Sequence, residues 1–135
     1  MIKKTKEDYL RAIYHFQEDK KDIKEGINSI SLSKYLNVSK PTVSEMIRKL
    51  MKEELVHTTH YGKIKLTKKG LYESKTITKK HRIIEAFLAG ILKINRKTIH
   101  EEAHRLEHAF SNNSISSISR LIKNTKNCPH GKPIP

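Results

Sequence analysis

Apolar residues at Tyr9, Leu10, Ile13, Tyr14 and Phe16 recur with helical period and fade into the charged run EDKKDIKEG, so a first helix is expected to end near Asp19. Beyond INSI, the stretch SLSKYLNVSKPTVSEMIRKLMKEELV predicts a short helix over Leu32 to Leu36, a turn at Asn37-Val38 and a second helix from Lys40. Ser39 is placed to cap that helix, and Pro41 sits in its first turn, where a missing N–H costs nothing. Its inner face reads Val43, Ile47, Leu50 and Met51, its outer face Lys40, Thr42, Ser44, Glu45 and Arg48. Two short helices around a tight turn, the second polar and basic outside, predict a helix-turn-helix.

Next, LVHTTHYGKIKLT alternates apolar and polar residues on either side of Tyr61-Gly62, the pattern of a small hairpin wing. Thr67 is expected to cap a long helix whose apolar stripe is Leu71, Ile77, Ile84, Phe87, Leu88 and Ile91. Another helix is expected from about Lys97. After a polar break at SNNS a last one carries Ile115, Ile118, Leu121 and Ile122 on one face, and CPHGKPIP reads as an extended tail. The fold class is therefore mainly α. A winged helix-turn-helix of three helices and a small β-hairpin spans residues 1–73, an all-helical domain follows over 74–127, and the tail occupies 128–135.

Charge sharpens this picture. The 135 residues carry a formal net charge of +14, from 28 Lys and Arg against 14 Asp and Glu, which makes a polyanion the leading partner. Residues 40–80 hold 11 of the basic residues against 4 acidic ones, so the excess concentrates on the helix-turn-helix and wing. In duplex DNA, Thr42 and Ser44 would reach phosphates, Ser39 and Pro41 a thymine methyl, and Arg48, Lys63 and Lys65 the backbone, with Lys40 and Glu45 on the same face. One cysteine, Cys128, excludes an intramolecular disulfide, and MIKKTKEDYL lacks the apolar core of a secretory signal. The longest apolar run, IIEAFLAGIL, falls well short of the roughly 20 residues of a membrane span. A cytoplasmic protein without a membrane role is expected.

Histidines and carboxylates supply the remaining chemistry. On a helix His100, His104, Glu107 and His108 fall within an arc of about 100°, on one face. His81 and Glu85 form an i, i+4 pair upstream, and Asp8 opens the first helix. Imidazole and carboxylate groups suit borderline and hard divalent cations, and the set contains no thiolate. Each histidine taken singly also reads as a solvated side chain, and Glu101 and Glu102 are assigned to solvent. His100 to His104 also matches the H-E-x-x-H pattern of zinc peptidases. The extended metzincin pattern fails, because Glu107 and Phe110 stand where Gly and His are required, and no strand outside the wing could hold a substrate. No enzyme is expected. A metal-independent winged-helix regulator and, behind it, a zinc metallopeptidase are the rival readings.

Several stretches in order resemble the metal-dependent repressors of the DtxR/MntR type: EDYLRAIY from Glu7, VSKPTVSEMIRKL from Val38, LTKKG from Leu66, KHRIIEAFL from Lys80, HEEAHRLEHAFS from His100, and CPHGKPIP. The resemblance implies a repressor of metal-homeostasis genes that binds a palindromic double-stranded DNA operator as a homodimer when Fe2+ or Mn2+ is bound, with Zn2+, Co2+ or Ni2+ as substitutes. It implies an ancillary ion site at His81, Glu85 and His100 and a primary site at Asp8, His104, Glu107 and His108. Asp8 is similar to the manganese-type members, whereas Arg11 stands where these have Glu. His104 stands where iron-type members have Cys and manganese-type members Glu, and Glu45 replaces a Gln of some relatives.

Overall fold

The structure, a computed structural model, describes residues 4–19, 26–122 and 134. In chain order these form α1 (Lys6–Asp19), α2 (Ser29–Leu36), α3 (Lys40–Lys52), β1 (Val56–Thr58), β2 (Ile64–Leu66), α4 (Lys68–Gly90), α5 (Arg96–Glu107) and α6 (Asn112–Leu121). The chain divides into two compact units, Met1–Ile77 and Thr78–Pro135, with the division inside α4.

Side-chain caps start the helices. Thr5 and Asp8 bond reciprocally, Asp8 Oδ2 accepting the Thr5 N–H at 2.7 Å and Thr5 Oγ1 the Asp8 N–H at 3.4 Å, a capping box at the head of α1. Asn28, Ser39, Thr67, Asn95 and Ser111 each accept a backbone N–H from the first turn of α2 to α6 in that order. Each such cap contributes about 1 kcal/mol. Because Asn28 caps it, α2 begins at Ser29, three residues before the expected Leu32. Ser111 likewise turns the expected SNNS break into the start of α6.

In the first unit α1, α2, α3 and the hairpin enclose one core that includes Tyr9, Leu10, Ile13, Leu32, Val43, Leu50, Leu55 and Ile64. Asn37 takes a left-handed conformation (φ 55°, ψ 51°) that turns α2 into α3. The hairpin pairs antiparallel with Val56 opposite Leu66 and Thr58 opposite Ile64, and Ile27 adds an antiparallel bridge to Ile64. Val43, Ile47 and Leu50 complete the buried face of α3. Met51, expected on that face, is exposed, since it lies about 100° further around the helix than Leu50.

The second unit packs α4 against two partners. Ile83 and Ala86 cluster with Ile118 and Ile122, and Ile84 and Leu88 with Ile99 and Ala103. The apolar face of α6 is largely spent within the unit: Ile118 and Ile122 are buried, Ile115 is half-buried, and Leu121 alone of the four is exposed. Ile91 lies past the end of α4 and is exposed with Leu92 and Ile94, so it extends no buried stripe. The CPHGKPIP tail lies outside the described residues except for Ile134, which packs against the Ile83 cluster. Among the described residues no helix is long and apolar enough to cross a membrane.

Candidate metal centre and nucleic-acid interface

One turn of α4 separates His81 from Glu85, and both are buried. With exposed His100 of α5 they form a group whose ligand atoms all lie within 4.8 Å of one another. His81 Nε2 stands 3.0 Å from Glu85 Oε1, and the His81 and His100 rings meet edge to face at 4.9 Å. A second group, also within 4.8 Å, consists of buried His104 and Glu107 and exposed His108, the residue that caps the C-terminus of α5. The His104 and His108 rings meet edge to face at 5.3 Å, and His108 Nε2 lies 3.7 Å from Glu107 Oε1. Four residues that a helical wheel puts on one face are therefore divided: His100 faces the α4 pair, and the other three form their own group.

The donor set fits a divalent transition metal. Buried carboxylates are costly unless a cation or hydrogen bonds compensate them, and Glu85 and Glu107 lie among imidazoles at distances a single ion can span. His81 links the groups, its Nδ1 lying 2.9 Å from Glu107 Oε2. Asp8 belongs to the first unit and is buried. Beyond its capping role, its Oδ1 faces Arg11 Nη2 at 3.3 Å. Burial pushes the neighbouring Tyr9 hydroxyl above its usual value, and the Asp8 charge adds to the shift. Glu101 is exposed and Glu102 half-buried. Arg82, beside His81, is a buried charge that the hydrophobic pattern gave no reason to single out.

On α3 the side chains of Lys40, Pro41, Thr42, Ser44, Glu45 and Arg48 are all exposed, as is Ser39 ahead of them. Ser39 and Thr42 hydroxyls bond each other at 2.7 Å, which fixes the first turn, and Arg48 Nε donates to Ser44 O at 3.3 Å. Lys63 and Lys65 lie half-buried on the wing. At its tip Tyr61 is 89% exposed, with its ring against His60. From the sequence Tyr61 reads as half of a turn; its position beside Gly62 in a basic hairpin is the signal that marks it as the exposed tip.

Comparison with known proteins agrees with this arrangement. Residues 1–64 match the iron-dependent repressor N-terminal DNA-binding domain, and residues 67–135 match the iron-dependent repressor metal-binding and dimerisation domain. An uncharacterised helix-turn-helix transcriptional regulator of Methanocaldococcus jannaschii is 37% identical over 121 residues, covering 89% of this chain and 94% of that protein. The diphtheria toxin repressor of Corynebacterium diphtheriae is 29% identical over 133 residues, 97% of this chain and 56% of its own. The structure of the manganese regulator SloR superposes with a TM-score of 0.86 at 38% identity, covering 99% of this chain and 60% of that one. The chain thus spans little more than half the length of the latter two. The matched domains are those of iron-dependent repressors, and the relatives are a transcriptional regulator, a repressor and a manganese regulator, which removes the peptidase reading of His100 to His104. With a DNA-binding domain in its first half and a metal-binding, dimerising one in its second, the chain belongs to the iron-dependent repressor family.

Proposed function

We propose that this protein is a cytoplasmic repressor that binds a palindromic operator as a homodimer when Fe2+ or Mn2+ is held by its second unit. The observation that carries the reading is the pair of His/Glu groups, each with its ligand atoms within 4.8 Å, on residues that match a metal-binding and dimerisation domain. His81, Glu85 and His100 would hold one ion, and His104, Glu107 and His108 another, with Asp8 as a further ligand contributed by the DNA-binding unit. The ion would add positive charge beside the buried carboxylates of Glu85 and Glu107. Asp8 offers a route by which metal occupancy reaches DNA affinity, and by linkage DNA would tighten metal binding equally. Ser39, Lys40, Pro41, Thr42, Ser44 and Glu45 would face the major groove, with Arg48, Lys63 and Lys65 on phosphates.

The test is binding to duplex DNA selected from a random pool, at fixed salt, in EDTA and after adding back Mn2+, anaerobic Fe2+ or Zn2+. A strong metal requirement is expected. Equal binding in chelator would leave a winged-helix regulator that does not sense metal.

A further inference from the structure

His81 touches both groups: its Nε2 lies 3.0 Å from Glu85 of the first, and its Nδ1 lies 2.9 Å from Glu107 of the second. The ring is almost wholly buried, as is the Glu107 side chain. The Glu107 carboxylate is accordingly split, Oε2 toward His81 and Oε1 toward His108. We propose that His81 is a positioning residue for the second group as well as a ligand of the first, and that its imidazole couples ion binding at the two.

An ionised carboxylate only accepts, so the contact to Glu107 requires a proton on His81 Nδ1. A neutral imidazole has one such proton. With no cation at Nε2, Glu85 and Glu107 compete for it from opposite ends of the ring. An imidazole whose Nε2 lone pair faces a cation must carry the proton on Nδ1, the tautomer that Glu107 needs. Ligation by Nε2 and orientation of Glu107 therefore select the same form of His81, and filling either group favours filling the other. The same hydrogen bond holds Oε2 back, leaving Oε1 for the His104 and His108 side. Losing an outer hydrogen bond of this kind typically costs about 10- to 100-fold in metal affinity.

The inference rests on the metal dependence proposed above, and amide replacements at His81 separate the two claims. Asn places an N–H near the position of Nδ1 and leaves nothing at Nε2; Gln reaches toward Nε2 and leaves nothing at Nδ1. Mn2+ binding to the full chain without DNA is followed through the EPR signal of free Mn2+, and the ion lost on adding His104→Ala is assigned to the second group. H81N is expected to lose the first-group ion and keep second-group affinity within about threefold of the unaltered protein. H81Q is expected to weaken second-group binding by roughly 10- to 100-fold. Rescue by Asn but not Gln is not what a generally damaged core would give. Equal second-group affinity in both variants would overturn the coupling while leaving metal dependence intact. No Mn2+ binding by the unaltered chain would overturn both.

Discussion

Gly70, in the first turn of α4, lies flat against the backbone carbonyl of Leu55, so close that a β-carbon there would overlap it. Around this contact Thr67 N–H donates to Leu55 O at 3.0 Å, Thr67 Oγ1 to Glu54 O, and Lys69 Nζ to Glu53 O. The start of α4 is thereby fastened to the corner between α3 and β1. Neither side can yield, because both are backbone. Gly70→Ala is expected to destabilise the first unit by about 3 kcal/mol, the upper end of the usual cost of overpacking. Gly90→Ala, whose added methyl meets nothing within 4 Å, should be neutral or stabilising by about 0.5 kcal/mol. Urea unfolding of the two variants checks the contrast.

Tyr9 suggests a change in the opposite direction. Its hydroxyl is buried with no hydrogen-bond partner among the described residues. Tyr9→Phe should therefore leave stability at pH 7 unchanged or raise it by about 1 kcal/mol. Burial, and then Asp8, raise the Tyr9 pKa above 10.0. The neutral form is favoured in the folded state, so its contribution is complete below about pH 10, the unfolded value, and is lost as pH rises through the folded one. Melting curves at pH 7 and near pH 11 should show the variant standing higher relative to the parent at pH 11 than at pH 7. A loss of more than about 1 kcal/mol at pH 7 would mean that the hydroxyl has a partner.

Arg48 is exposed on the outer face of α3 and, among the described residues, is tied to Ser44 O in its own helix. If it contacts a phosphate, Arg48→Ala should weaken binding to specific and unrelated duplexes alike. It should also reduce the slope of log affinity against log salt by about 0.9. Titrations at several salt concentrations measure this; an unchanged slope would remove Arg48 from the interface.

Asp8 has an observed role as a cap and a proposed one as a metal ligand, and substitution can pull the two apart. As part of the capping box it accepts the Thr5 N–H, which Asn can also do and Ala cannot. Asp8→Ala should cost about 1 kcal/mol in thermal stability, and Asp8→Asn much less. Both should lose most of the metal-dependent gain in operator binding. Full metal response in Asp8→Asn would leave Asp8 a cap and nothing more.

What the sequence makes legible is local chemistry. Ser39 and Pro41 announce α3 because a hydroxyl and a ring fixed in φ act within one turn. The same logic fails where cap residues look like loop: Asn28 and the Ser111-Asn112 pair begin helices, yet their composition suggests connections. The six His and Glu positions of α4 and α5 were legible as a set, because i, i+4 spacing puts side chains on one face. Helix geometry alone did not divide them, since it puts all four residues from His100 to His108 on one face; only the family resemblance implied the two groups that the structure brings together. The fate of Ile118 and Ile122 was not legible either, because an apolar stripe looks the same whether it covers its own core or another chain.

The wing is secured differently along its ladder and at its tip. At Ile64, the last ladder position before the tip, Ile27 and Ile64 exchange both backbone hydrogen bonds, at 2.9 and 2.7 Å, so the segment entering α2 acts as a third short strand. At the tip, beyond the Thr59 and Lys63 pairing, exposed Tyr61 and Gly62 are held by one turn bond, Gly62 N–H to Thr59 O. In hydrogen-exchange terms the Ile27 and Ile64 amides belong with the slowly opening core and that of Tyr61 with the fast surface. Whatever compliance the hairpin offers a groove is confined to residues 59–63, so its register against the body of the unit survives while its tip adapts.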